Sequence, residues 1–252
     1  MPFAAYEGVK GGEFYTPASV VKTIVAVLKP FSNCRVYDPA VVPAECSCRV
    51  QNLFRLILGN GGRLQFMANP PFNLSYWGHE KLKEDKRWKY GIPPAGNANY
   101  AWIQHMIHHL APNGKLGLVL ADGVLSTQSG GEGEIRKKII EDDLVEGIIA
   151  MPTQLFYSVT IPVTLWFITK NKKQKRKTLF IDARKMDFMV DRKHRDFDDE
   201  KDIPKIAETF AAFEEGKMED VKGFCAAASL ADIAKQDYIL MPGRWILWVV
   251  ID

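Results

Sequence analysis

The sequence predicts an α/β fold, a doubly wound and mainly parallel sheet with an antiparallel hairpin at its edge. Three observations carry this. From Tyr100 onward, segments with apolar residues at helical spacing alternate with short apolar runs suited to buried strands. The runs Val163 to Thr169 and Thr178 to Asp182 flank a basic connection, Lys170 to Lys177, short enough for a hairpin. The 252 residues, 47% of them hydrophobic, can bury one substantial core, which excludes a disordered or fibrous chain.

Thr16-Pro17, followed by Val20, Val21, Ile24, Val25 and Leu28, predicts an N-cap threonine, a proline at the first helical position and an amphipathic helix that stops at Pro30. Arg35 to Asp38 predicts a short strand ending in Asp38-Pro39-Ala40, and Val50 to Leu58 a helix closed by Gly59. Leu64 to Ala68 reads as a buried strand leading into Asn69-Pro70-Pro71-Phe72, where two prolines end any ladder. A polar loop follows, through about Asn99. Then come helix Tyr100 to Leu110, strand Lys115 to Ala121, helix Glu134 to Leu144 and strand Val145 to Met151. Beyond Met186 the chain becomes charged before a helix over Ile203 to Glu215. This shift predicts a main domain over 11–185 and a small, mainly helical appendage over 186–252.

A balance of 33 basic and 30 acidic residues, +3 in all, neither demands nor excludes a polyanionic partner. No apolar stretch approaches the roughly 20 residues that span a bilayer, and Met1-Pro2-Phe3 lacks the layout of a signal peptide, so a cytoplasmic protein without a membrane partner is expected. Cys46 and Cys48 are close, but no second pair completes a zinc site, which points to reduced thiols. His105, His108 and His109 have metal-compatible spacing on one helix, yet no carboxylate motif accompanies them, and a partly exposed helix face is the better reading. The basic run from Lys170 could touch phosphates or could simply be solvated.

Asn-Pro-Pro-Phe at a strand exit suits chemistry on an exocyclic amine, a weak nucleophile because its lone pair is delocalised into the ring. The Asn69 side-chain oxygen and the Pro70 carbonyl, held by successive prolines Pro70 and Pro71, could both accept from one amino group and favour its pyramidal form. Phe72 could stack on the base. A base within a duplex must be flipped out to reach such a pocket, which implies a nucleic-acid partner. The same four residues could also serve only as a turn.

Three motifs decide between these readings by their order: Gly12-Glu13-Phe14-Tyr15-Thr16-Pro17, Val36-Tyr37-Asp38-Pro39-Ala40 and Asn69-Pro70-Pro71-Phe72-Asn73. In this order they resemble the modification subunits of type I restriction-modification systems, which are N6-adenine DNA methyltransferases. The similarity continues through Gly96 to Trp102, Gly131 to Arg136, Gln154 to Tyr157, Ile161 to Phe167 and Phe180 to Arg184, and covers most of residues 11 to 245. The resemblance implies a Rossmann-like methyltransferase sheet and transfer of a methyl group from S-adenosylmethionine directly to adenine N6. It implies that Phe14, Tyr15, Thr16 and Pro17 contact the donor, that Asp38, Pro39 and Ala40 open its binding loop, and that Asn69, Pro70, Pro71 and Phe72 hold the target adenine. It further implies DNA, a sequence-specificity subunit and a restriction subunit as partners.

The sequence also departs from that pattern. The family's glycine-rich loop after Asp-Pro-Ala is replaced by Val41-Val42-Pro43-Ala44-Glu45, whose branched side chains and proline cannot adopt the conformations that glycine allows. Only 31 positions (69 − 38) separate Asp38 from Asn69. Each further βαβ unit takes ~30 residues or more, so only one helix fits there. Part of the donor-binding half is therefore expected to be missing. The alternative function is a catalytically inactive fragment that retains partner or DNA interaction.

Overall fold

A computed structural model of the chain describes residues 16–30, 35–37, 64–156, 161–186, 188–189 and 195–246. The expected helix at Val50 to Leu58, the residues Phe14, Tyr15, Asp38, Pro39 and Ala40, and the tail beyond Ile246 lie outside them.

Nine strands are present among the described residues: β1 (Arg35–Tyr37), β2 (Leu64–Ala68), β3 (Lys115–Ala121), β4 (Val145–Ala150), β5 (Val163–Thr169), β6 (Lys177–Asp182), β7 (Phe188–Met189), β8 (Arg195–Asp196) and β9 (Cys225–Ser229). The helices are α1 (Ala18–Leu28), α2 (Asn99–His109), α3 (Glu132–Glu141), α4 (Asp202–Glu214), α5 (Leu230–Lys235) and α6 (Pro242–Ile246). Seven strands form one sheet in the order β1-β2-β3-β5-β4-β6-β9, and β7 pairs with β8 in a separate ribbon. Five of the seven, β1, β2, β3, β4 and β6, run one way, and β5 and β9 run against them. The α/β, mainly parallel expectation therefore holds.

The expected edge hairpin does not form. β5 pairs antiparallel with both β3 and β4, so it lies inside the sheet, while β6 pairs parallel with β4. The antiparallel edge is instead β9 on β6. The physical reason lies in β5, which is buried at every position, as a strand must be when both its faces and both its edges are covered. The short connection only carries the chain past β4.

Side chains alternate along the strands and build a core on each face. Leu116, Leu118 and Leu120 of β3 point to a core shared with Tyr100 and Ile103 of α2 and Ile135 and Ile139 of α3. Val119 and Ala121 point to a second core shared with Val20 and Ile24 of α1 and Ile206 and Phe210 of α4. On this second face two glycines let the helices come close. A Cβ on Gly117 would lie 2.4 Å from Ile24 Cγ2, and one on Gly147 would lie 2.6 Å from Phe210 Cε2.

The segment expected as a C-terminal appendage is woven into both cores. Ile203, Phe210 and Phe213 pack against α1 and the sheet, β9 extends the sheet, and Leu230, Ile233 and Ile246 join the first core.

Helix α1 begins at Ala18 with Pro17 as its N-cap residue and no side-chain cap. Thr16 therefore lies one position earlier than the capping role expected of it. The helix ends where Lys29 turns left-handed (φ 46°) and its N–H closes on Val25 O at 2.9 Å, just before Pro30.

Candidate active site at the strand ends

The parallel strands β2, β3, β4 and β6 all finish on one edge of the sheet, and their exits are Asn69, Asp122, Met151-Pro152 and Asp182-Ala183. Ligands of doubly wound sheets bind outside this carboxyl edge. The N-terminus of α1 lies at the same edge, because Asn69 Nδ2 donates to Thr16 Oγ1 at 3.0 Å. This bond joins two segments that the sequence separates by 53 positions. With its nitrogen committed to Thr16, the Asn69 carboxamide keeps its oxygen as its acceptor.

Pro70 is buried and Pro71 half-buried. Phe72, 8% exposed, packs in the second core, where its ring meets Phe156 edge-on at a centroid distance of 6.0 Å. Phe156 comes from the chain that leaves β4. The backbone then turns at Asn73 (φ 52°), a residue type that tolerates the left-handed region. Asn73 Oδ1 accepts from Asn99 Nδ2 at 2.9 Å and from Asn97 Nδ2 at 3.3 Å, and Asn73 N–H donates to Asn99 Oδ1 at 3.2 Å. Ala98 N–H donates to Leu74 O at 2.9 Å. An asparagine clamp thus ties the exit of β2 to the start of α2 and holds both ends of the 73–98 loop together.

Two carboxylates flank the site. Arg184 grips Asp182 through Nε (2.8 Å) and Nη2 (2.5 Å); burial raises the Asp182 pKa, but these bonds outweigh it and hold the group below its ordinary value. Burial pushes the Asp122 carboxyl up, with Arg184 opposing and Asp182 reinforcing.

Of the residues expected to act, the structure brings together Thr16, Pro17, Asn69, Pro70, Pro71 and Phe72. β1 ends at Tyr37 on this same edge, paired in parallel with β2. Sequence reasoning did not find the Thr16–Asn69 bond, the asparagine clamp or the Phe156 contact. Gly96 to Trp102 and Gln154 to Tyr157 stood out only as stretches of resemblance.

Other candidate features lie elsewhere. The basic run starting at Lys170 sits at the opposite edge, by the amino ends of β3, β4 and β6, where two of its six cations pair with carboxylates. Lys172, 3% exposed, pairs with Asp143 at 2.6 Å, and Lys173 pairs with Glu214 at 2.8 Å. Among the described residues no cluster of His, Cys, Asp or Glu could hold a metal ion. His105 Nδ1 accepts from Arg87 Nη1 at 2.7 Å. No helix of the described residues is long and apolar enough to cross a membrane.

Sheet order and strand-exit motif together define a doubly wound α/β protein whose site lies at the carboxyl ends of its strands. The model of the N-6 DNA Methylase family matches residues 1–48 and 64–248, and the chain belongs to that family. It is 40% identical over 292 residues to the type I restriction enzyme HindI methylase subunit of Haemophilus influenzae, covering 97% of this chain and 66% of that one. It is 38% identical to the MjaIX methylase subunit of Methanocaldococcus jannaschii, covering 97% of this chain and 53% of that one. The methyltransferase subunit of a type I restriction-modification system from Streptococcus thermophilus shares the fold, with a TM-score of 0.76 at 24% identity over 94% of this chain and 60% of that one. The chain thus spans between half and two thirds of the length of the curated relatives it matches most fully.

The comparisons also show a shortening of this chain relative to its relatives. Residues 49–63 fall outside the family match. About 244 residues here, 97% of 252, align over 292 positions of the Haemophilus comparison, so about 48 positions (292 − 244) face no residue of this chain. In the doubly wound order 3-2-1-4-5, strands 2 and 3 lie beyond strand 1. Strands 1 and 4 are neighbours in that order, as β1 and β2 are here, and β1 is the outermost strand among the described residues.

Proposed function

We propose that the chain is the methylating subunit of a type I restriction-modification system and transfers a methyl group from S-adenosylmethionine to adenine N6 in DNA. It would work with a sequence-specificity subunit and a restriction subunit. The observation that carries this reading is the tie between Asn69 and Thr16 at the exit of β2, which unites the expected amine-holding and donor-contacting segments. The names of the relatives, as methylase subunits of type I restriction enzymes, support it.

The residues present suit one end of the donor. Thr16 and Pro17 stand beside Asn69 at the carboxyl edge, where the methionine end would lie. The adenosine end would rest on strands beyond β1, which the described residues do not include. When bound, the donor supplies an electrophilic methyl group on sulfur.

The chain's own contribution is to prepare the amine. Asn69 Oδ1 and the Pro70 carbonyl each accept an amino hydrogen, which draws the nitrogen toward a pyramidal form with a localised lone pair. Thr16 Oγ1, by accepting from Nδ2, holds the carboxamide in the orientation that presents Oδ1. The Phe72 ring, backed by Phe156, forms an apolar wall for the base. Placing two acceptors is an electrostatic effect made before the reaction starts, and one such positioned group is worth about 2.7–4 kcal/mol where it has been removed in other enzymes.

Calorimetric titration of the purified chain with S-adenosylmethionine tests the reading, followed by tritium transfer from labelled donor to DNA. Saturable one-site binding with transfer abolished by Asn69→Ala is expected. A folded chain that binds no donor overturns methyl transfer and leaves the non-catalytic, DNA- or partner-binding fragment.

A further inference from the structure

Tyr76 is 99% exposed and has φ 55°, in the left-handed region that bulky side chains avoid. The ring itself makes no packing contact among the described residues that would repay this conformation. Yet the residue does not sit on a loose tip. Two residues before it, Leu74 O accepts from Ala98 N–H. Immediately after it, Trp77 Nε1 donates to Pro94 O at 3.1 Å, and its ring packs edge-on against His79 and Trp88 at 5.5 and 5.9 Å. The strained backbone therefore turns one aromatic ring outward from an anchored frame. Uncompensated strain of this kind points to a role outside the fold.

Position and charge narrow that role. Tyr76 follows Phe72 by four residues, so their Cα atoms are at most about 14 Å apart. Successive bases of one strand rise 3.4 Å, which places Tyr76 within a few base steps of an adenine held at Asn69. The stretch 79–90 carries Lys81, Lys83, Lys86, Arg87 and Lys89 against Glu80, Glu84 and Asp85, a net +2 compared with +3 for the whole chain. Lys83, Arg87 and Lys89 are engaged with carboxylates, while Lys81 and Lys86 are exposed and pair with none among the described residues. An exposed aromatic ring in the same loop as exposed cations that pair with no described carboxylate is suited to binding a nucleobase face and its phosphates.

We infer that Tyr76 stacks on a DNA base next to the extruded adenine, replacing part of the stacking lost when that adenine leaves the helix. The inference rests on the proposed function and deepens it, by assigning a second base contact outside the Asn69 to Phe72 pocket.

The test is a fluorescence anisotropy titration of the full chain with a labelled duplex that carries one unpaired adenine, at several salt concentrations. Tyr76→Ala should weaken binding about tenfold, in the range of a lost base–aromatic stack, without changing the slope of affinity against salt. Tyr76→Phe should bind within about twofold of the parent, because the ring and not the hydroxyl makes the contact. Lys86→Gln should lower the salt slope, as loss of a phosphate contact does. Tyr76→Gly, which relieves the left-handed strain, should melt no lower than the parent while still losing affinity, which separates a binding role from a folding role. If the parent binds this duplex and Tyr76→Ala binds equally well, the stacking role is overturned while the DNA-acting reading stands. If the parent does not bind the duplex at all, the proposed function and this inference fall together.

Discussion

Gly117→Ala adds one methyl group to the face of β3 on which α1 lies, and its cost can be worked from distances. The new Cβ would stand 2.4 Å from Ile24 Cγ2, 3.3 Å from Leu28 Cδ1 and 3.6 Å from Phe167 Cε1. Carbon atoms pack best at about 3.5–4.0 Å, so the Ile24 contact is short by about 1.1 Å or more. Ile24 cannot simply turn away, since a β-branched side chain within a helix has one strongly preferred χ1. The helix must shift instead, at an overpacking cost of about 1–3 kcal/mol. For a chain of this size that corresponds to a fall in Tm of roughly 2–12 °C, followed by circular dichroism. The paired variant Gly117→Ala with Ile24→Ala removes the clashing Cγ2, so its destabilisation should be smaller than the sum of the single changes. Strict additivity, or a single variant that melts with the parent, would refute the close approach of α1 to the sheet.

Other perturbations address the site and its frame. Thr16→Val removes the oxygen that holds the Asn69 carboxamide; methyl transfer should fall about tenfold, equivalent to 1.36 kcal/mol, mainly in kcat, and Thr16→Ser should restore it. Asn99→Ala, at a position only 2% exposed, strips Asn73 of two of its three hydrogen bonds, leaving the one from Asn97, at a cost of about 1–3 kcal/mol; trypsin should then cut within the lysine-rich 73–98 loop sooner than in the parent. Burial first, then His109 and Arg87, press His105 from 6.5 down to about 4. The unfolded chain therefore binds more protons between those values, so stability is complete above pH 6.5 and is lost as pH falls toward 4. His105→Gln should flatten the dependence of Tm on pH in that window, and an unchanged slope would show that other groups set it.

The helices and strands between Tyr100 and Met151 were legible because apolar spacing there follows one period at a time. Their observed bounds differ from the expected ones by no more than three residues, as α3 shows by starting at Glu132 and ending at Glu141. The neighbours of β5 were not legible. A short connection between two strands suggests that they pair, and nothing local shows that β4 intervenes. The better signal was Val163 to Thr169 itself, apolar at nearly every position and so suited to the interior of a sheet. Cys-Ala-Ala-Ala-Ser of β9 was invisible for a different reason: alanine and serine carry little strand preference, and the segment is a strand only because the edge of β6 is there to receive it. The site was half legible. Asn69 to Phe72 announce themselves as a strand exit, and the order of motifs links them to Thr16. The hydrogen bond between Asn69 and Thr16 is a product of tertiary packing that no spacing rule contains.

The pairing of α1 with α4 has a consequence for how the chain is made. Both apolar flanks of α1 need partners that are translated much later: β3 on one side, and on the other α4, whose first residue follows Leu28 by 174 positions (202 − 28). At ~5–20 residues per second, roughly 9–35 s pass between synthesis of α1 and synthesis of the helix that covers it. During that interval Val20, Val21, Ile24, Val27 and Leu28 are open to chaperones, to other nascent chains and to proteases. The segment that bears Thr16 is thus the first part of the site to be synthesised and among the last to be locked in place, so a premature stop before Asp202 would release a chain whose N-terminal helix has lost half its cover.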